Sequence, residues 1–126
     1  MRTFLMLACG VLLASSLCWA QEPNPYSGSW QAHLVNNKGE QRKGKVVLGE
    51  TDGNWDFEHQ VYKNPCVGMP APIVIRSATA DALVFEIDRS RVLKGCKNNV
   101  ATLQRIDDNT LQGGLDDGRK LTLIRE

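Results

Sequence analysis

Apolar and polar residues alternate along most of the chain from residue 28 onward. Trp30, Ala32 and Leu34 are separated by Gln31 and His33, and the same period of two returns in later segments. This period is typical of β-strands with one face buried and the other in water. Residues that favour turns separate the segments, as in the Asn-Asn-Lys-Gly sequence at 36–39.

Eight strands are predicted, with no helix longer than a single turn at Ser90–Lys94. The strands lie at about 30–34, 42–48, 55–61, 73–77, 83–87, 100–106, 111–115 and 121–126. Closing eight short strands into a barrel removes the exposed sheet edges. We therefore expect an all-β, single-domain antiparallel up-and-down barrel of about eight strands, with a β-sandwich as the alternative.

The first 20 residues have the layout of a secretory signal peptide. Arg2 is followed by an apolar run at 4–17, and the Cys18-Trp19-Ala20 sequence provides small residues for cleavage after Ala20. The apolar run is too short to span a bilayer, so no membrane span is expected. We predict a signal peptide at 1–20, a flexible leader at 21–27, a barrel domain at 28–126, and a periplasmic or secreted location.

Cleavage would leave two of the four cysteines, Cys66 and Cys96. An even pair in an exported chain predicts a disulfide. In an up-and-down barrel the third and fifth loops lie at the same end, and these loops contain Cys66 and Cys96. The two residues can therefore meet across neighbouring hairpins.

Two sites in the chain resemble the lipocalin and avidin group of barrels, the calycins. Gly28-Ser29-Trp30 is similar to the Gly-X-Trp sequence that opens the first strand of that group, and Arg125 ends the last strand. The resemblance implies a closed barrel in which the Arg125 guanidinium covers the Trp30 indole at the base. It implies no particular ligand.

No residue pattern indicates catalysis, a cofactor or a metal site. The two histidines, His33 and His59, are expected on the surface and in a hydrogen-bonded interior position, respectively. The carboxylate pairs at 107–108 and 116–117 lie in turns, where Asp is favoured for local hydrogen bonds. We therefore expect a protein that is not an enzyme and that binds no metal or cofactor.

Basic residues concentrate in the loops predicted to lie at one end of the barrel. The chain without its first 20 residues is formally neutral, with 14 Lys and Arg against 14 Asp and Glu. A rim of one sign would steer an anionic partner, whereas the competing interpretation is a solvated surface. The neutral total makes nucleic acid an unexpected partner.

The third loop, at 64–72, is apolar, contains three prolines and carries Cys66. It either offers a preorganised contact surface or covers the barrel mouth as a plug.

Two functions remain open. The first is a monomeric binding protein that holds a small apolar or anionic molecule at the barrel mouth. The second is a protein–protein module, such as an inhibitor or immunity protein of a secreted enzyme. The predicted contact residues are Val67, Met69, Arg89, Arg91 and Lys94, with Trp55 and Phe57 in the wall.

Overall fold

A computed structural model of the protein describes residues 23–57 and 65–126. Within these ranges the chain forms eight strands and one short 3-10 turn at Arg89–Arg91. The strands are β1 (Gly28–Val35), β2 (Gln41–Leu48), β3 (Asp52–Phe57), β4 (Ala71–Ala78), β5 (Ala82–Ile87), β6 (Asn99–Asp107), β7 (Thr110–Leu115) and β8 (Lys120–Arg125). Predicted positions 58–61 of the third strand, with His59, and the predicted signal peptide lie outside the described residues.

The strands form a closed antiparallel barrel in sequence order. β1 pairs with β2 on one side and with β8 on the other, where Trp30 lies opposite Arg125 and Val35 opposite Lys120. The predicted up-and-down barrel is therefore confirmed over the sandwich. Loops 36–40, 65–70, 88–98 and 116–119 lie at one end, which we call the mouth. The opposite end, with residues 23–27 and the loops at 49–51, 79–81 and 108–109, is the base.

Inward-facing side chains fill the barrel because every second residue of each strand points to the axis. Trp30, Phe85 and Leu103 are fully buried, and a continuous apolar cluster runs from the base to the mouth. Towards the mouth, the Trp55 and Phe57 rings stack with centroids 4.4 Å apart, and Trp55 also contacts Phe85. These aromatic rings form the upper part of the core.

The base is closed by contacts between residues 25–30 and the end of β8. The Arg125 guanidinium lies 4.3 Å from the centre of the Trp30 ring, and it donates hydrogen bonds to the carbonyls of Pro25 and Ser27. Trp30 Nε1 donates to the Tyr26 carbonyl at 2.9 Å. Gly28 has a φ of 127°, a region that L-residues with a side chain rarely adopt, and this conformation turns the chain into β1 beside Arg125.

Residues 23–27 differ from the predicted flexible leader, because they pack on the base. Tyr26 is buried, and its hydroxyl donates to the Thr79 carbonyl. The Asn24 side chain donates to the Gly49 carbonyl at 2.8 Å, and its backbone N–H donates to Glu50 at 2.9 Å. The leader composition is polar and proline-rich, so these long-range bonds could not be derived from it.

The predicted disulfide between Cys66 and Cys96 is present, with Cα atoms 5.5 Å apart. It joins the third loop to the fifth at the mouth. Two of the four loops of the mouth are therefore joined to each other by a covalent bond.

Candidate functional site

Arg89 begins the fifth loop and is the most unusual residue of the mouth. It follows β5 and Asp88, and the 3-10 turn at Arg89–Arg91 directs its side chain inward, so that it is only 7% exposed. Its Nη1 donates a hydrogen bond to Oδ1 of Asn99, a neutral partner. Among the described residues, no carboxylate oxygen lies within 4 Å of the guanidinium. Arg89 is thus a buried cation whose remaining N–H groups have no counter-charge in contact.

The electrostatic surroundings of Arg89 are mixed. Burial lowers the pKa of the guanidinium, and the nearby charge of Arg119 lowers it further, whereas Asp117 and Asp116 raise it. An arginine stays protonated even so, because its ordinary pKa lies far above neutral pH. The site therefore holds a fixed positive charge that burial makes costly.

Asn99, the first residue of β6, connects Arg89 to the acidic turn of the seventh loop. Its Nδ2 donates to Asp116 at 2.9 Å and to Asp117 at 3.4 Å. Arg119 donates to Asp117 from Nε at 2.8 Å. Although burial raises the pKa of Asp117, hydrogen bonds and the charge of Arg119 outweigh it and hold this pKa below its ordinary value. Both carboxylates therefore already have donors.

A cavity of about 420 Å³ opens between the third, fifth and seventh loops above this network. Its walls combine cationic side chains, the polar residues Asn99 and Asp117, and the disulfide-bonded third loop. It is lined by Cys66, Val67, Arg89, Gly95, Lys97, Asn99, Asp117 and Arg119. The arrangement offers hydrogen-bond donors on one wall and an apolar contact from Val67 on another.

The structure brings together only part of the predicted contact set. Val67 and Arg89 line the cavity. Arg91 lies outside and forms an ion pair with Asp88 at 3.1 Å, and Lys94 is exposed. Met69, in the third loop, is half-buried and does not line the cavity. Trp55 and Phe57 belong to the apolar core.

The predicted contact set did not include Asn99, Lys97, Asp117 or Arg119, although Lys97 and Arg119 belong to the basic residues predicted at this end of the barrel. The sequence predicts Asn99 as the last residue of the fifth loop, where an asparagine is ordinary. Asp117 was interpreted as a turn residue, which it is, since it accepts the backbone N–H of Arg119 at 3.1 Å. The barrel order could have indicated that these residues lie close together, because it places the starts of β6 and β8 at the same end.

A second cavity, of about 560 Å³, lies at the base beside residues 23–25 and the β4 end. Its two cations are both engaged, Arg76 with Glu86 and Arg105 with Asp108. We therefore place the candidate site at the mouth.

Within residues 23–57 and 65–126, no group of three or more His, Cys, Asp and Glu side chains is arranged to hold a metal ion. In the same part of the chain, no helix is long and apolar enough to cross a membrane.

Comparison with known proteins supports the architecture. No family model and no curated protein matches the sequence. Among solved structures, a redesigned β-barrel superimposes with a TM-score of 0.52 and 19% sequence identity, covering 81% of this chain and 92% of the design. At this identity the likeness concerns the fold alone: the protein is a small eight-stranded antiparallel β-barrel.

Proposed function

We propose that the protein is an exported, non-enzymatic binding protein that holds a small anionic molecule in the cavity at the barrel mouth. The observation that carries this proposal is Arg89, which is almost fully buried, donates to one neutral amide and lines the cavity. A carboxylate or phosphate group would supply the charge and the acceptors that the guanidinium lacks.

The size of the cavity supports a small ligand. A volume of about 420 Å³ falls within the range of about 300–1,000 Å³ typical of small-molecule sites. The packed barrel interior argues for a ligand that rests on the core instead of entering it. Asp116 and Asp117 partly offset the local positive charge, which favours an anion of low charge.

Export is supported by the signal-peptide pattern at 1–20 and by the Cys66–Cys96 disulfide, which is typical of oxidising compartments. Gly28-Ser29-Trp30 and the Arg125–Trp30 contact support a calycin-like relation. That relation would agree with a binding role at the open end of a barrel.

Titration of the mature protein, residues 21–126, tests the proposal. The probes are inorganic phosphate, acetate and octanoate, which separate the anionic group from an apolar tail, and binding is followed by calorimetry and by amide chemical shifts. We expect at least one probe to bind with shifts centred on Asn99, Gly95 and Val67. Arg89→Gln should abolish this binding.

Arg91→Gln is the matched control, because Arg91 lies in the same loop but is exposed and paired with Asp88. It should leave the affinity within about twofold, since a peripheral charge contributes little. Equal loss in both variants would point to general charge attraction and would overturn the proposal, as would no binding of any probe.

A protein–protein module is the second candidate function. It is favoured by the filled interior together with the rigid, disulfide-bonded third loop. Native mass spectrometry of the protein from its host would show a retained small mass under the first proposal, and a protein complex under the second.

A further inference from the structure

Two aliphatic side chains are exposed at the tip of the fifth loop. Val92 is 44% exposed and its neighbour Leu93 is 37% exposed. Arg91 precedes them and Lys94 follows them, and Lys97 lies three residues further on. Neither Val92 nor Leu93 lines the mouth cavity, so the anion site does not explain their exposure.

The exposure of this pair is built into the loop. The backbone N–H groups of Val92 and Leu93 both donate to the Arg89 carbonyl at 3.0 Å, and Cys96 N–H donates to the Leu93 carbonyl at 3.1 Å. Gly95 has a φ of 92°, which allows this tight turn. The disulfide at Cys96 then fixes the end of the loop. Val92 and Leu93 are therefore held outward in a defined conformation.

Charge is distributed unequally between the two ends of the barrel. The described mouth loops carry six basic and four acidic residues: Lys38, Arg89, Arg91, Lys94, Lys97 and Arg119 against Glu40, Asp88, Asp116 and Asp117. The base loops carry three acidic residues and no Lys or Arg: Glu50, Asp81 and Asp108. Glu126 also lies at the base, but so do Arg125 and the cavity-lining Arg76 and Arg105. A negatively charged surface would therefore be attracted more to the loops of the mouth than to those of the base.

The basic residues are also spread around the mouth. Lys38 lies in the first loop, Lys94 and Lys97 in the fifth, and Lys120 begins β8 beside the seventh. None of these four lysines has a carboxylate oxygen within 4 Å in the described part of the chain. Lysines at three of the four mouth loops suit an extended anionic surface better than a single point of contact.

We propose that the mouth of the barrel docks on an anionic lipid bilayer, with Val92 and Leu93 entering the interface and the surrounding lysines contacting lipid phosphates. Exposed aliphatic residues flanked by cations are what interfacial binding requires, since neither burial of a few methyl groups nor charge alone gives firm attachment. The docked orientation would place the anion cavity next to the lipid headgroups. The proposal does not depend on the anion site being occupied.

Vesicle co-sedimentation tests the proposal with the mature protein, residues 21–126. The vesicles consist of phosphatidylcholine alone or of phosphatidylcholine with phosphatidylglycerol. We expect binding to the phosphatidylglycerol vesicles only, and we expect it to weaken as salt is raised, because salt screens exposed charges. Substituting both Val92→Ser and Leu93→Ser should weaken binding about tenfold or more.

The matched control is the pair Val47→Ser and Ile124→Ser. These aliphatic residues are 38% and 40% exposed but lie on β2 and β8, close to the base. They should leave vesicle binding unchanged. Because both pairs are exposed, thermal unfolding should show that all the variants fold.

Three results would overturn the proposal: no binding to either vesicle, equal binding to both, or binding that the Val92 and Leu93 substitutions do not affect. If the protein bound neither vesicle, contact with a protein partner would be the remaining explanation for the exposure of Val92 and Leu93. Val92→Ser with Leu93→Ser should keep its binding of the small anion while it loses vesicle binding, because neither residue lines the mouth cavity, so the two sites are tested separately.

Discussion

A single residue, Trp30, takes part in two of the contacts that close the barrel base. It lies fully buried beneath the Arg125 guanidinium, and its indole N–H reaches the Tyr26 carbonyl. Its replacement would remove apolar burial, a cation–π contact and a hydrogen bond at once. The carbonyl of Tyr26 would then lose a buried donor, which adds to the cost.

We expect Trp30→Ala to lower the free energy of unfolding by about 3–5 kcal/mol, as is typical of a buried aromatic residue. Urea denaturation followed by circular dichroism measures this change. Trp55→Ala is not a suitable control, because Trp55 is also buried; His33→Ala, on the outer face of β1, should change stability little. A loss below about 1 kcal/mol for Trp30→Ala would contradict the packing of the base.

Individual residues also mark the limit of sequence-based prediction. Trp30 and Arg125 could be paired through a family resemblance, because both belong to regular strands whose ends meet. Arg89 could be placed at the mouth, but its burial depends on Asn99 and on the turn at 116–117, which are distant in sequence. A loop arginine that is buried and one that is solvated look alike in the sequence.

At the scale of elements, strand positions followed from the period-two pattern because each strand has one face in the core and the other in water. The predicted ends were displaced by up to three residues, as at β3, which begins at Asp52 instead of Trp55. The stretch at 49–54 was interpreted as one long turn because Gly, Asp and Asn dominate it. Pairing with β2 nevertheless continues through Gly53 and Asn54, since backbone hydrogen bonds do not need a strand-forming side chain.

The disulfide is the covalent link between two elements, the third and fifth loops. Closing a loop with a sequence separation of 30 stabilises a folded chain by about 3–4 kcal/mol in the chain-entropy model. We expect Cys66→Ser with Cys96→Ser to lower the Tm by more than about 10 °C. Reductant should lower the Tm of the unmodified protein to a similar extent.

The double variant serves as the control for that experiment, because reductant should have no further effect on it. Differential scanning fluorimetry compares the proteins with and without reductant. Because Cys66 also lines the mouth cavity, the double variant should bind the anionic probe more weakly than the unmodified protein does. An unchanged Tm would contradict a structural role for the bond.

At the scale of the whole molecule, closure gives every strand two hydrogen-bonded neighbours. In the part of the chain that the structure describes, the shortest pairing is the seam between β3 and β4, at Asp52–Trp55 and Ala71–Val74. This seam reaches the mouth beside Trp55. The apolar core nevertheless continues across it, so partial opening would expose residues that belong to the same cluster as those at the base.

In residues 21–126 the two tryptophans report on opposite ends of this barrel, Trp30 at the base and Trp55 towards the mouth. We expect the ends to unfold together, because the closed sheet and the continuous core leave no separable half. In Trp55→Phe the fluorescence of Trp30 should give the same urea midpoint as circular dichroism of that variant. In Trp30→Phe the fluorescence of Trp55 should likewise agree with circular dichroism, at a lower midpoint. If Trp55 instead changed at a lower urea concentration than the sheet did, the β3–β4 seam would open on its own. The mouth would then be a separately unfolding part of the barrel.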